Sequence, residues 1–287
     1  MPAALRHRLA RPLLALHRLK TAVAGNDGFR VLLLHDIPAA DREVFADLVD
    51  HVRRHHGVLS PDEAAGWLDG RQGAAVHRGR PPCLFSFDDG FASNADIARD
   101  ILAPAGIAAL FFVCPGLIDL APGDQAAAVA GIFDGRIGPT DLDRRLRPMT
   151  WEEIAALAGA GHTIGAHSMS HRRLTHLRGE DLAHEILDSG ARIEARLGLP
   201  VPWFAYPFGD IDSIDDAAMR IIAGRYRYCR SGVRGANGRT IHPLALRGDH
   251  VDLTVPPAWR QLTLEGGLDG RYRAARRRLD ELADNSL

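Results

Sequence analysis

Between residues 29 and 209 the chain repeatedly sets a short apolar run against a longer segment of helical period, and few architectures accommodate that rhythm. FRVLLLHDI precedes a helical stretch over 41–56, PPCLFSFDDG precedes SNADIARDILAPAG, and IAALFFVCPG is followed further on by MTWEEIAALAGAG. HTIGAHS, the helical GEDLAHEILDSGARIEARLG and VPWFAYPFG continue the series. Thr150 with Glu153 three residues on predicts a capping box at the start of one of these helices. Repeated strand-then-helix units imply a parallel sheet, and so many in one core predict an α/β fold, a complete or incomplete (β/α) barrel. Chemistry in such a fold sits at the C-terminal ends of the strands.

A length of 287 residues fits one such core with appendages. Residues 1–28 are expected to form an N-terminal amphipathic helix, with Leu5, Leu9, Leu13, Leu16 and Leu19 at helical spacing. Residues 29–255 form the barrel, interrupted at about 121–148 by an insertion over its mouth, and 256–287 a basic helical tail with solvated charges. Packing on the parent domain is the favoured reading of 3–22; the alternative is peripheral contact with an anionic membrane surface.

Composition removes several function classes. Hydrophobic residues at 46% and charged residues at 25% are globular values, and a net charge of -1 offers no field for nucleic acid. Cys83, Cys114 and Cys229 show no CxxC spacing and are expected as buried free thiols. Arg6, Arg8, Arg11 and Arg18 break the N-terminal stretch short of a signal peptide, and no run is long enough to span a membrane. A cytoplasmic location, with contact at the inner membrane face as the variant, is the expectation.

Two motifs carry chemistry. The LFSF strand delivers Asp88 and Asp89 ahead of Gly90, and adjacent residues at a strand end point different ways, so one carboxylate can ligate a metal while the other faces substrate. His167 and His171, four residues apart after a later strand, can converge on one ion. Two histidines and a carboxylate leave coordination positions open, as a catalytic site requires. Zinc is the default ion for that donor set, and cobalt, nickel or iron also fit.

These residues resemble the polysaccharide deacetylases of the nodulation-deacetylase type, carbohydrate esterase family 4. Ser86-Phe87-Asp88-Asp89-Gly90 is similar to that family's first motif and His167 to His171 to its second, and the likeness runs from about residue 31 to 252. The resemblance implies that Asp88 is the general base and that Asp89, His167 and His171 hold one divalent metal. A third motif, Arg-x-Pro-Tyr/Phe, resembles Ala205-Tyr206-Pro207-Phe208, with Ala205 where the family's arginine would hold the base. Arg247 in LALRGD is the nearest replacement. A backbone N–H near Phe208 is expected at the oxyanion by the same likeness, and Trp203, Tyr206 and Phe208 either line a sugar groove or pack the barrel. The family's last motif, Leu-x-His, is found at LLLHD near the start, which implies a circularly permuted order with His35 as general acid; a closed barrel lets that strand come first or last.

The expected activity is removal of an N-acetyl group from an amino sugar of a polysaccharide, oligosaccharide or lipid-linked glycan precursor. Two rivals stand beside it: hydrolysis of a cyclic, non-sugar amide on the same scaffold, and sugar binding without turnover because Ala205 replaces the arginine.

Overall fold

A computed structural model describes residues 3–24, 28–71, 80–133 and 146–286. Helix α1 (Ala3–Ala24) leads into strand β1 (Arg30–Leu34), then helices α2 (Arg42–His55) and α3 (Pro61–Leu68) and strand β2 (Cys83–Phe87). Next come α4 (Ala92–Ile97), which runs on through a π-turn at Ala98–Leu102, β3 (Leu110–Val113), α5 (Pro115–Ile118) and α6 (Pro122–Ile132). Helix α7 (Trp151–Gly159), β4 (Thr163–Ala166), α8 (Gly179–Ala183), a second π-turn at His184–Asp188 and α9 (Ser189–Leu197) follow. The chain closes with β5 (Trp203–Ala205), α10 (Asp216–Arg225), β6 (Tyr228–Arg230), β7 (Asp249–His250), α11 (Pro257–Leu264) and α12 (Arg273–Asp284).

All the strand pairs are parallel, in the order β6-β5-β4-β3-β2-β1-β7. One segment draws the two edges together: Leu246 bridges Arg230 of β6, and three residues later Asp249 pairs with Leu32 of β1. The result is an incomplete (β/α) barrel of seven strands among the described residues, the expected class. The first strand of the chain lies between β2 and the last strand, as a permuted order requires.

Strand period decides where each side chain goes. Leu32, Leu34, Phe85, Phe87, Phe111, Val113 and Phe204 pack outward against helix residues such as Phe45, Leu48, Val49 and Val52 of α2. Their neighbours Val31, Leu84, Leu110, Phe112, Trp203, Ala205 and Tyr228 form an inner cluster, joined by Leu59 and by Trp67 of α3. Each fully buried phenylalanine contributes about 1.5–3 kcal/mol. The Thr150–Glu153 capping box is present, the Glu153 N–H donating to Thr150 Oγ1 at 3.2 Å and the Thr150 N–H to Glu153 at 2.8 Å.

Three local expectations change. The VPWFAYPFG run gives only three strand residues, because Pro207 has no N–H to offer the sheet and Phe208 and Gly209 turn left-handed. The tail is more than a solvated helix: Leu279, Leu282 and Ala283 of α12 are buried, and Arg276 donates to the carbonyls of Arg234 and Asp269. Helix α1 packs on α11, but through Ala10 and Leu14, with His17 and Arg18 bound to Glu265. The expected leucine stripe points outward, with Leu9, Leu13, Leu16 and Leu19 between 37% and 73% exposed. The side chain of Leu5, and residues 134–145 of the expected insertion, lie outside the described residues. Cys83, Cys114 and Cys229 are buried free thiols. Among the described residues no helix is long and apolar enough to cross a membrane.

Candidate active site

Leu34 of β1 stands opposite Phe87 of β2, so the residues that follow, His35 and Asp88, leave the sheet at one level; the Asp88 N–H donates to the Leu34 carbonyl at 2.9 Å. His167 follows β4 directly, its N–H donating to the Val113 carbonyl at 2.9 Å. All three lie at C-terminal strand ends. Beyond them the backbone is strained: Asp89 (φ 70°), Ser168 (61°), His171 (61°) and Phe208 (65°) are the non-glycine residues with positive φ among the described residues. Sparsely populated conformations cost on the order of 1–3 kcal/mol each and persist where the surroundings over-determine them.

The surroundings do so here. The His171 N–H donates to Ser168 Oγ at 3.0 Å, and the Gly116 N–H to the Met169 carbonyl at 2.9 Å. A Cβ at Gly116 would lie 2.6 Å from that same oxygen, so only glycine lets the turn settle there. The N–H and hydroxyl of Ser170 both donate to Glu185, a buried carboxylate presented by the second π-turn. Glu185 carries no motif signature, and sequence reasoning passed over it.

The turn sets three ligand atoms face to face. Asp89 Oδ1 lies 3.5 Å from His167 Nε2 and 3.2 Å from His171 Nε2, with all three residues buried and the ligand atoms within 4.8 Å of one another. His167 Nδ1 is 2.8 Å from the Ala205 carbonyl, which can only accept, so Nδ1 carries a proton and Nε2 is left for the carboxylate side. Burial disfavours charge on Asp89, yet the hydrogen bonds and charges of His167 and His171 outweigh it and hold its pKa well below the ordinary value. Burial likewise disfavours a charged His167, and Asp88 and Asp89 overcome it, raising that pKa. His171 Nδ1 is buried without a hydrogen-bond partner among the described residues. A buried, negatively biased, three-donor set with open positions fits a divalent metal.

Asp88 is 3% exposed and splits its oxygens. Oδ1 accepts from Nη2 of Arg230, while Oδ2 stays on the ligand side, 3.9 Å from His167 Nε2. Arg230 is fully buried at the end of β6, its guanidinium 5.1 Å from the centre of the Phe112 ring. Asp88, Asp89, His167 and His171 border a cavity of about 310 Å3 that they share with His35, Phe208, Ile132, Phe133 and His250.

The family model described as polysaccharide deacetylase matches residues 76–222. The chain belongs to the polysaccharide deacetylase family. Membership places it among the hydrolases that deacetylate carbohydrates. The fold is similar to that of the Streptococcus pyogenes deacetylase PplD, at 17% identity over 83% of this chain and 98% of that one, with a TM-score of 0.65. IcaB from Ammonifex degensii is 24% identical over 85% and 98%, with a TM-score of 0.62. A de-N-acetylase from Aggregatibacter actinomycetemcomitans is 16% identical over 83% and 100%, with a TM-score of 0.64. No curated protein sequence gives a significant match.

The remaining expected residues of this deacetylase divide. The structure brings His35 into the cavity, with His250 beside it at 5.5 Å between ring centres. Phe208 lines the cavity against His171, 4.8 Å between ring centres. Tyr206 does not reach it: the ring is fully buried and its hydroxyl donates to the Gly209 carbonyl at 3.1 Å, holding the turn from beneath. Trp203 is likewise packed inside the barrel, on Tyr228. Arg247 does not hold Asp88. It precedes β7, away from the strand's C-terminal end, and donates to both oxygens of Asp280 at 2.7 and 2.8 Å. Arg230 takes the part assigned to it. The one local signal was its place closing the short run YCR, obscured by neighbouring Arg225 and Arg227.

Proposed function

We propose that this chain is a metal-dependent de-N-acetylase acting on an amino sugar of a polysaccharide, an oligosaccharide or a lipid-linked glycan precursor. The observation that carries the reading is the convergence of Asp89, His167 and His171 beside Asp88 in one cavity. A divalent metal held by those three residues, zinc by default, would supply Lewis acidity toward water and the acetyl carbonyl. Asp88 is the general base: Arg230 holds Oδ1, and Oδ2 remains to take the proton of the attacking water. The N–H of Phe208, on a left-handed turn bordering the cavity, would donate to the developing oxyanion. His35 protonates the sugar nitrogen as the carbon–nitrogen bond breaks. An arginine on Asp88 favours turnover over binding alone, and family membership favours a carbohydrate over a cyclic amide.

The exposed leucines of α1, next to Arg8, Arg11 and Lys20 with no acidic residue in the helix, support peripheral contact with an anionic membrane surface.

Acetate release from N-acetylated oligosaccharides, measured with metal content, tests the assignment. His167→Ala or His171→Ala should lose tightly bound metal and activity together. Asp88→Asn should keep the metal and lose activity by about 100-fold or more. One full equivalent of metal in His171→Ala would refute the ligand set.

A further inference from the structure

Beside the metal-site cavity lies a second one of about 450 Å3, and the two share Ile132, His171 and Phe208. Its charged lining is basic: Arg172 and Arg173 border it, with His176 beside them, and no acidic side chain does among the described residues. The chain as a whole carries a net charge of only -1, so this concentration is local. Arg173 is fixed in place, its guanidinium 4.4 Å from the centre of the Phe208 ring and one nitrogen bound to Asp210 and Ser213. Arg172 and His176 are exposed. His171 and Phe208 border both cavities, so the cleft opens beside the metal-ligand set.

We infer that this cleft is an anion subsite: the glycan carries a negatively charged group, a phosphate ester or a uronic carboxylate, next to the N-acetylated sugar that enters the metal site. Guanidinium groups match planar or tetrahedral oxyanions through paired N–H donors, and a cleft of one sign with low-dielectric walls focuses its field on the substrate. Arg173 already pairs with Asp210, so a neutral sugar would leave Arg172 as the cation of the cleft without a charged partner among the described residues. The inference rests on the de-N-acetylase reading for its chemistry, and its test separates the two.

Matched N-acetylglucosamine oligosaccharides would be compared in three forms: neutral, bearing one phosphate monoester, and containing one uronic acid residue. For the native enzyme the anionic forms should exceed the neutral one in kcat/KM by about tenfold or more, the worth of one charge-assisted hydrogen bond. Raising salt should erode that advantage. Which anion gains more identifies the source of the charge. Arg172→Gln, and Arg172→Gln with His176→Gln, should shrink the anionic-to-neutral ratio toward one, a change that a fold defect lowering all substrates alike would not produce. Equal kcat/KM for the three forms, or a preference for the neutral one, would overturn the inference. Calorimetric binding of the same oligosaccharides to the Asp88→Asn protein covers the remaining case. If no form is deacetylated by the native enzyme, the de-N-acetylase reading fails. Selective binding of the anionic forms would still uphold the cleft, and its absence would refute it.

Discussion

Ala205 and Arg230 are paired across β5 and β6, and the guanidinium that the motif lacks at 205 reaches Asp88 from 230. Partners on adjacent parallel strands present their side chains to the same face at the same height. An arginine can therefore change strands and still arrive at the same carboxylate.

Removing Arg230 strands a buried carboxylate, which costs about 3–5 kcal/mol where a partner of a buried pair is lost. Arg230→Ala should lower kcat by about 100-fold or more with metal content unchanged. Returning the cation by the neighbouring route, in Ala205→Arg/Arg230→Ala, should recover roughly tenfold of that loss, because the two positions act on one oxygen. A double variant no better than the single one would show that the two positions are not equivalent.

For His35, the general-acid role requires a large effect on turnover and none on the metal. His35→Gln should keep metal content and melting temperature while kcat falls by about 100-fold or more. A kcat within about threefold of the native enzyme would assign the proton to another group, with His250 next in reach.

Acid should weaken the fold through buried histidines. His56 is fully buried, and burial is the main cause that lowers its pKa from 6.5 to about 4, with Arg80 adding to it against the Pro81 hydrogen bond. The unfolded chain takes up this proton first, so the contribution is complete above pH 6.5 and is lost as pH falls toward 4. About 2 kcal/mol should be gone by pH 5 from this residue. His51, also lowered to about 4 chiefly by burial, acts in the same direction. Urea melts at pH 7.5 and pH 5 should show a smaller loss in His56→Gln than in the native protein. Equal losses would mean that His56 is charged in the folded state.

The two faces of α1 should respond differently. Replacing Leu9, Leu13, Leu16 and Leu19 by Gln should leave the melting temperature nearly unchanged and reduce co-sedimentation with anionic vesicles. Leu14→Ala, on the packed face, should destabilise by about 2–5 kcal/mol and leave vesicle binding intact. Vesicle binding that survives the four substitutions would remove the membrane contact.

Local facts were legible in the chain: which runs become inner strands, where α2 and α7 start, and that Asp88, Asp89, His167 and His171 stand at strand ends with the spacing to meet. Those facts depend on period, capping and turn chemistry within a few residues. The tertiary structure alone decided which arginine holds Asp88, that Tyr206 supports a turn instead of lining a groove, and which face of α1 is covered. Each of these depends on register or packing between segments far apart in the chain. Arg230 and Arg247 are both arginines close to short strands, and the one local cue, Arg230 closing YCR, is masked by Arg225 and Arg227. They differ because β6 ends at the level of Asp88, whereas Arg247 comes before β7 begins, where Asp280 is waiting.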